Sequence, residues 1–129
     1  LGVNCKYNGG NNYCEKVAEY IKGKEVISIC PEVLGGLSIP RSTAEIIDGI
    51  VTTREGKCVD REFRSGANIA LQRAIMEKPD IIILQSRSPS CGVKQIYDGK
   101  FTGNKKSGQG IFAELLILNG FNVIDVEDL

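Results

Sequence analysis

The sequence contains no histidine and no tryptophan. Without imidazole there is no Ser-His or Cys-His catalytic pair, no ordinary base titrating near neutrality and no zinc site built on histidine. Net charge is missing as well: sixteen Lys and Arg residues balance sixteen Asp and Glu. Such a chain has no overall field with which to gather a nucleic acid polymer or an anionic membrane. No apolar run approaches the ~20 residues that a membrane helix needs, and the first residues do not read as a secretory leader. Neither Gly35-Gly36 nor Gly108-Gln109-Gly110 has the order of a dinucleotide or P-loop fingerprint. The five cysteines, Cys5, Cys14, Cys30, Cys58 and Cys91, include no CxxC pair, and an odd number argues against a secreted disulfide framework. A cytoplasmic protein with reduced thiols is expected. Its chemistry must rest on Cys, Ser, Asp, Glu, Lys, Arg or a cofactor.

What is present suits one domain spanning residues 1–129. A chain of this length buries roughly two-thirds of its unfolded surface, and 42% apolar with 25% charged residues is ordinary for a globule. The chain begins at Leu1 without Met and enters an Asn- and Gly-rich loop to Asn12, so further residues are expected upstream. A helix is predicted over about 13–22, capped by Asn11 or Asn12 and stopped by Gly23. Glu25 to Cys30 reads as a buried strand, followed by a Gly- and Pro-bearing loop to Arg41. Ser42-Thr43-Ala44-Glu45 has the form of a capping box opening a very short helix. Residues 50–53 and 57–59 read as a small hairpin. Asp60 should cap a long amphipathic helix to Glu77, its stripe being Phe63, Ala67, Ala70, Leu71, Ala74 and Ile75, with Pro79 enforcing the stop. Lys105-Lys106 reads as a solvated loop tip. A helix over about 111–119 ends at Gly120, and residues 121–126 form the last strand. Helices alternating with buried strands predict an α/β domain with a mostly parallel sheet. The expected architecture is a small three-layer, Rossmann-like domain whose N-terminal strand is missing from the given sequence.

The most apolar run, Asp80 to Gln85, reads as a strand buried on both faces. It gives way abruptly to Ser86-Arg87-Ser88-Pro89-Ser90-Cys91-Gly92. Open parallel sheets place ligands just outside the carboxyl ends of their strands, so an active site is expected here. Cys30 also follows a predicted strand. If the two strands are neighbours, both thiols open onto one sheet edge, a plausible half of a metal or cluster site. Coincidence is the competing reading, since cysteine is common at the ends of core strands. Glu32 would flank the same cavity as a proton donor or acceptor, tuned by burial, Arg41 or Arg87; otherwise it is a solvated loop glutamate. Ser88, Ser90 and the amides near Gly92 could form an anion- or oxyanion-binding nest, although Ser and Gly are also plain turn residues, the reading given to Ser86 and Gly92.

The segments Leu1 to Asn11, Cys30 to Gly36, Pro40-Arg41, Ser86 to Gly92 and Tyr97-Asp98-Gly99 together resemble the DUF523 family, thiouracil desulfurase-like bacterial domains. The resemblance covers nearly the whole chain in family order. It implies a [4Fe-4S] cluster on three cysteines with one open iron, and a non-redox desulfuration of a thiolated pyrimidine such as 2-thiouracil, giving uracil and sulfide. Carried over residue by residue, Cys30 and Cys91 are two ligands, and Glu32 and Ser88 are the catalytic acid/base and its hydroxyl partner. Tyr7, Asn11, Arg41 and Ser90 are possible supporting residues. The family's third ligand lies upstream of Leu1, so the chain as given is expected to hold a cluster poorly; neither Cys5 nor Cys14 matches that ligand. The expected partner is a small thiolated base, with no nucleic acid polymer and no membrane. Two rival readings stay open: sulfur transfer through a Cys91 persulfide, and a non-catalytic small-molecule binding module.

Overall fold

The longest element of the computed structural model, which describes residues 1–129, is an 18-residue helix, α3 (Asp60–Glu77). Its buried face is Phe63, Gly66, Ala67, Ala70, Leu71 and Ala74, the i, i+3, i+4 spacing of an apolar stripe. Ile75, expected in that stripe, is instead exposed. Four of the six buried positions are Gly or Ala, so neighbouring elements can approach the α3 backbone closely. The helix ends where Lys78 turns left-handed at φ 49°, just before Pro79. Against α3 packs α4 (Ile111–Leu118), which buries Ile111, Phe112, Ala113 and Leu116. The end of α4 is closed by Gly120 at φ +80°, where the amides of Gly120 and Phe121 donate to the carbonyls of Ile117 and Leu116. That is a Schellman cap, and a side chain at Gly120 would strain it.

Two further helices are short: α1 (Glu15–Tyr20) and α2 (Pro31–Leu34). Six strands complete the domain: β1 (Ala44–Ile47), β2 (Ile50–Thr53), β3 (Ile82–Leu84), β4 (Gln95–Tyr97), β5 (Lys105–Ser107) and β6 (Val123–Asp125). The fold is mixed α/β, as expected, but the sheet is not mostly parallel. The strands form three separate pairs, and only β3 with β6 is parallel, in register Leu84 to Asp125. β1 pairs antiparallel with β2, and β4 with β5.

Other expectations fail locally for identifiable reasons. Residues 25–30 form no strand, and Val26, Ile27 and Ile29 are exposed. No partner strand lies beside them, so the apolar run has no ladder to join. Ser42 to Glu45 does not open a helix. Residues 44–47 become β1 because Asp48 and Gly49, at φ 50° and 79°, make the two-residue turn of a β1–β2 hairpin. The hairpin foreseen between 50–53 and 57–59 does form in short form, through one antiparallel bridge between Thr52 and Cys58 with Thr53 N donating to the Lys57 carbonyl and Val59 N to that of Val51. Lys105 and Lys106 lie in strand β5, fully on the surface. Asn11 and Asn12 do not cap α1, whose N-cap is Cys14 with no side-chain bond.

Asp60 is likewise the first residue of α3 rather than its cap. Its carboxylate accepts from the Val51 amide at 3.0 Å and from Arg64 Nε at 2.7 Å, tying β2 to the helix. Burial alone would raise the Asp60 pKa, but the Val51 and Arg64 bonds outweigh it and hold the carboxyl below its ordinary 3.8. A carboxyl depressed in the folded state stabilises above its unfolded pKa, and that contribution is lost as pH falls through the folded value. Asp60→Asn should therefore lower Tm by roughly 3 °C at neutral pH. The gap to wild type should close in thermal melts taken below pH 3.8. A gap that does not change with pH would show that the charge contributes nothing.

Candidate active site

The site is built where the parallel pair ends, around a junction of α2 with α3. Cys30 is the N-cap of α2 and Pro31 its first residue, a position where the missing N–H costs nothing. This single turn is seated by backbone-to-backbone contact. A Cβ on Gly66 of α3 would stand 1.8 Å from the Pro31 carbonyl oxygen, and one on Gly35 would stand 2.0 Å from the carbonyl oxygen of Glu62. With nothing between the two backbones, the α2 turn that carries Cys30 and Glu32 sits directly against α3.

Glu32 is gripped on both carboxylate oxygens. Arg41 Nε donates to Oε1 at 3.1 Å, and Ser90 Oγ donates to Oε2 at 2.9 Å. The Arg41 and Glu32 side chains are only 10% and 18% exposed, so the pair is poorly screened by solvent. Arg41 Nη2 also donates to the Cys5 carbonyl at 3.0 Å, while its backbone amide donates to the carbonyl of Tyr7 at 2.7 Å. One guanidinium thus staples the N-terminal loop onto α2. The consequence is that the Cys5 and Cys30 thiols become neighbours. Burial first, then the Cys30 thiol, push the Cys5 pKa up.

The Ser86–Gly92 loop supplies the other wall. Ser88 Oγ accepts from the amides of Ser90 at 3.0 Å and Cys91 at 3.1 Å, a side chain doing the work of a turn. The Pro89 carbonyl accepts from Ile111 N, and the Ser90 carbonyl from Phe112 N and Ala113 N. These loop oxygens satisfy the free amides that begin α4, whose N-cap Gly110 has no side chain to do so. Burial, followed by Glu32 and Cys30 nearby, raises the Cys91 thiol far above its ordinary pKa, against the Gln85 backbone and the Ser88 hydroxyl, which pull it down.

Of the residues expected at the site, Cys30, Glu32, Arg41, Ser88, Ser90 and Cys91 come together. Arg87 does not tune Glu32; its Nη1 donates to both carboxylate oxygens of Glu127, at 2.7 and 2.8 Å. Tyr7 contributes its carbonyl, and its ring is exposed. Asn11 binds Asn4 and the Tyr13 amide, and lines a cleft of about 600 Å³ shared with Gln85 and Glu127. Ser86, read as a plain turn residue, is buried and bonded to Asp125. Cys5 and Asp125 are the site residues that sequence reasoning missed. Neither belongs to a local pattern, since both arrive through contacts with distant parts of the chain.

Residues 1–128 match the family described as 2-thiouracil desulfurase. The chain belongs to the 2-thiouracil desulfurase family. It is 37% identical to the uncharacterized protein YbbK of Bacillus subtilis, across 99% of this chain and 91% of that protein. Among solved structures it resembles the [4Fe-4S]-dependent thiouracil desulfidase TudS with a TM-score of 0.89 and 34% identity, across all of this chain and 87% of that one.

A 2-thiouracil desulfurase that uses an iron–sulfur cluster needs soft thiolate ligands placed around a volume rather than focused on one point. Two thiols that match the family, Cys30 and Cys91, are neighbours, and Cys5, which does not match, stands beside Cys30. No three His, Cys, Asp or Glu side chains converge tightly enough to hold a single metal ion. No helix is long and apolar enough to cross a membrane.

Proposed function

We propose that this 2-thiouracil desulfurase hydrolyses a thiolated pyrimidine such as 2-thiouracil, with Cys30 and Cys91 as cluster ligands and Glu32 and Ser88 as catalytic groups. The observation that carries this reading is the Glu32 carboxylate, fixed by Arg41 and Ser90 directly beside two thiols. When bound, a [4Fe-4S] cluster would supply a Lewis-acidic iron to polarise the C–S bond. Water adds to the thiocarbonyl carbon, the C–S bond breaks, and the products are uracil and hydrogen sulfide, without net oxidation or reduction.

The residues of the chain manage the protons of that exchange. Both Glu32 oxygens accept hydrogen bonds, so the group is set up to take a proton from water rather than to donate one. Arg41 and Ser90 hold the carboxylate stationary. The Ser88 oxygen is occupied by two amides, which directs its own O–H away from the turn and toward Cys91. A persulfide route asks for a Cys91 thiolate at neutral pH, and burial opposes that; a thiol that coordinates a metal, by contrast, would release its proton to solvent as the metal takes its place.

Anaerobic reconstitution with iron and sulfide, followed by iron analysis and a 2-thiouracil turnover assay, tests the reading. In protein that also carries the third cysteine ligand expected upstream of Leu1, about four irons per chain are expected, with iron and turnover both lost in Cys30→Ala and Cys91→Ala. Turnover that survives Cys30→Ala but not Cys91→Ala would replace the cluster by a persulfide.

A further inference from the structure

The loop that carries Ser88 and Cys91 is held from the far end of the chain by a buried acid. Asp125 ends β6, opposite Leu84 in the parallel register, and is 2% exposed. Its Oδ1 accepts from Ser86 Oγ at 2.5 Å and from the Glu127 amide at 2.8 Å. Glu127 in turn receives the Arg87 guanidinium, and Arg87 sits at φ +63°, a backbone conformation that non-glycine residues rarely adopt. Gln85, Ser86 and Arg87 carry the chain from β3 to Ser88, and the last two are the ones bonded here. Both are therefore pinned by groups that a single carboxylate organises.

We infer that Asp125 is a positioning residue of the desulfuration site, acting on Ser88 and Cys91 through the Ser86 hydroxyl and the Glu127–Arg87 pair. Asp125 is buried but is not a member of the apolar cluster. Its bonds run to a loop that is also anchored by the Arg87–Ile96 bridge, the Ser90–Glu32 bond and the start of α4. Arg87 in a left-handed conformation is strained, so it relaxes unless its surroundings over-determine it. Releasing Ser86 would let that relaxation move Ser88 away from the Cys91 amide. The effect on catalysis presupposes the desulfuration proposed above; the effect on loop geometry does not.

The test reads both quantities in Asp125→Ala, Asp125→Asn and Ser86→Ala. In the metal-free protein, iodoacetamide labelling is followed by peptide mass, with the exposed Cys58 as internal reference. Cys91 should label roughly tenfold faster in Asp125→Ala and Ser86→Ala with Cys58 unchanged, while Asp125→Asn, which keeps an acceptor oxygen, stays near wild type. In reconstituted protein, kcat for 2-thiouracil should fall on the order of 10²-fold in Asp125→Ala with KM little changed, and Asp125→Asn should recover most of it. An unchanged Cys91 rate in a folded Asp125→Ala overturns the inference. If that variant unfolds, Ser86→Ala decides alone, because it deletes the donor and leaves the acid in place. Faster Cys91 labelling with no thiouracil turnover even in wild type would keep the positioning role and remove the desulfuration reading.

Discussion

Gly66→Ala should unfold or badly destabilise the protein, although an alanine in mid-helix ordinarily helps. In an exposed helix the change would gain about 1 kcal/mol. Here the new methyl carbon would fall 1.8 Å from the Pro31 oxygen and 2.8 Å from the Gly35 nitrogen. Both are backbone atoms of the α2 turn, so no side chain can rotate away. Either α2 lifts off α3 or α3 bends, at a cost of ~3 kcal/mol or more, and Tm should fall on the order of 10 °C. Thermal melts followed by far-UV circular dichroism would measure it. A more stable Gly66→Ala protein would mean that the α2–α3 contact is not as close as described.

Glu32→Gln should remove turnover without removing iron. The amide preserves size and can still bond Ser90, yet it cannot take a proton from water, and loss of a positioned general base costs about 10²- to 10⁴-fold in kcat. The change also leaves Arg41, only 10% exposed, without its anionic partner, so Tm should drop as well. Glu32→Asp separates the two effects. It restores the charge and part of the stability, but its shorter reach cannot serve both the guanidinium and the substrate water. Steady-state kinetics and iron analysis on the same preparations would check this. Wild-type kcat in Glu32→Gln would assign the proton transfer elsewhere.

Much of the frame is legible in the amino acids. Pro79 stops α3 and Gly120 caps α4, because one cannot continue a helix and the other tolerates a positive φ. The change from Ile81-Ile82-Ile83-Leu84 to Ser86-Arg87-Ser88 marks the end of a parallel strand and, with it, the site. The capping-box pattern at Ser42 misleads because its glutamate has other employment: Glu45 Oε1 accepts from the amides of Gly99 and Phe101. The decisive signal there was Asp48-Gly49 between apolar pairs, a hairpin turn. Residues 25–30 have strand composition, but composition cannot supply a neighbour. Arg41 illustrates both sides, since its pairing with Glu32 is expected, while its reach to the carbonyls of Cys5 and Ser38 is a property of the folded loop and of no local spacing.

The glycine contact between α2 and α3 has a consequence for how motion is distributed. Up to Thr43, the only buried residues are Val17 and Pro31; the other buried positions lie further along the chain. Cys5, Cys30, Glu32 and Arg41 therefore ride on a segment with little apolar area to lose, whereas Ser88 and Cys91 are bolted to the α4 start. The two walls of the site are therefore expected to open independently in hydrogen exchange, with the Ser90–Glu32 bond the link that breaks between them. Amides of the first segment can exchange with solvent through a sub-global opening hinged at Pro31 and Gly66, while those of α3 and α4 wait for complete unfolding.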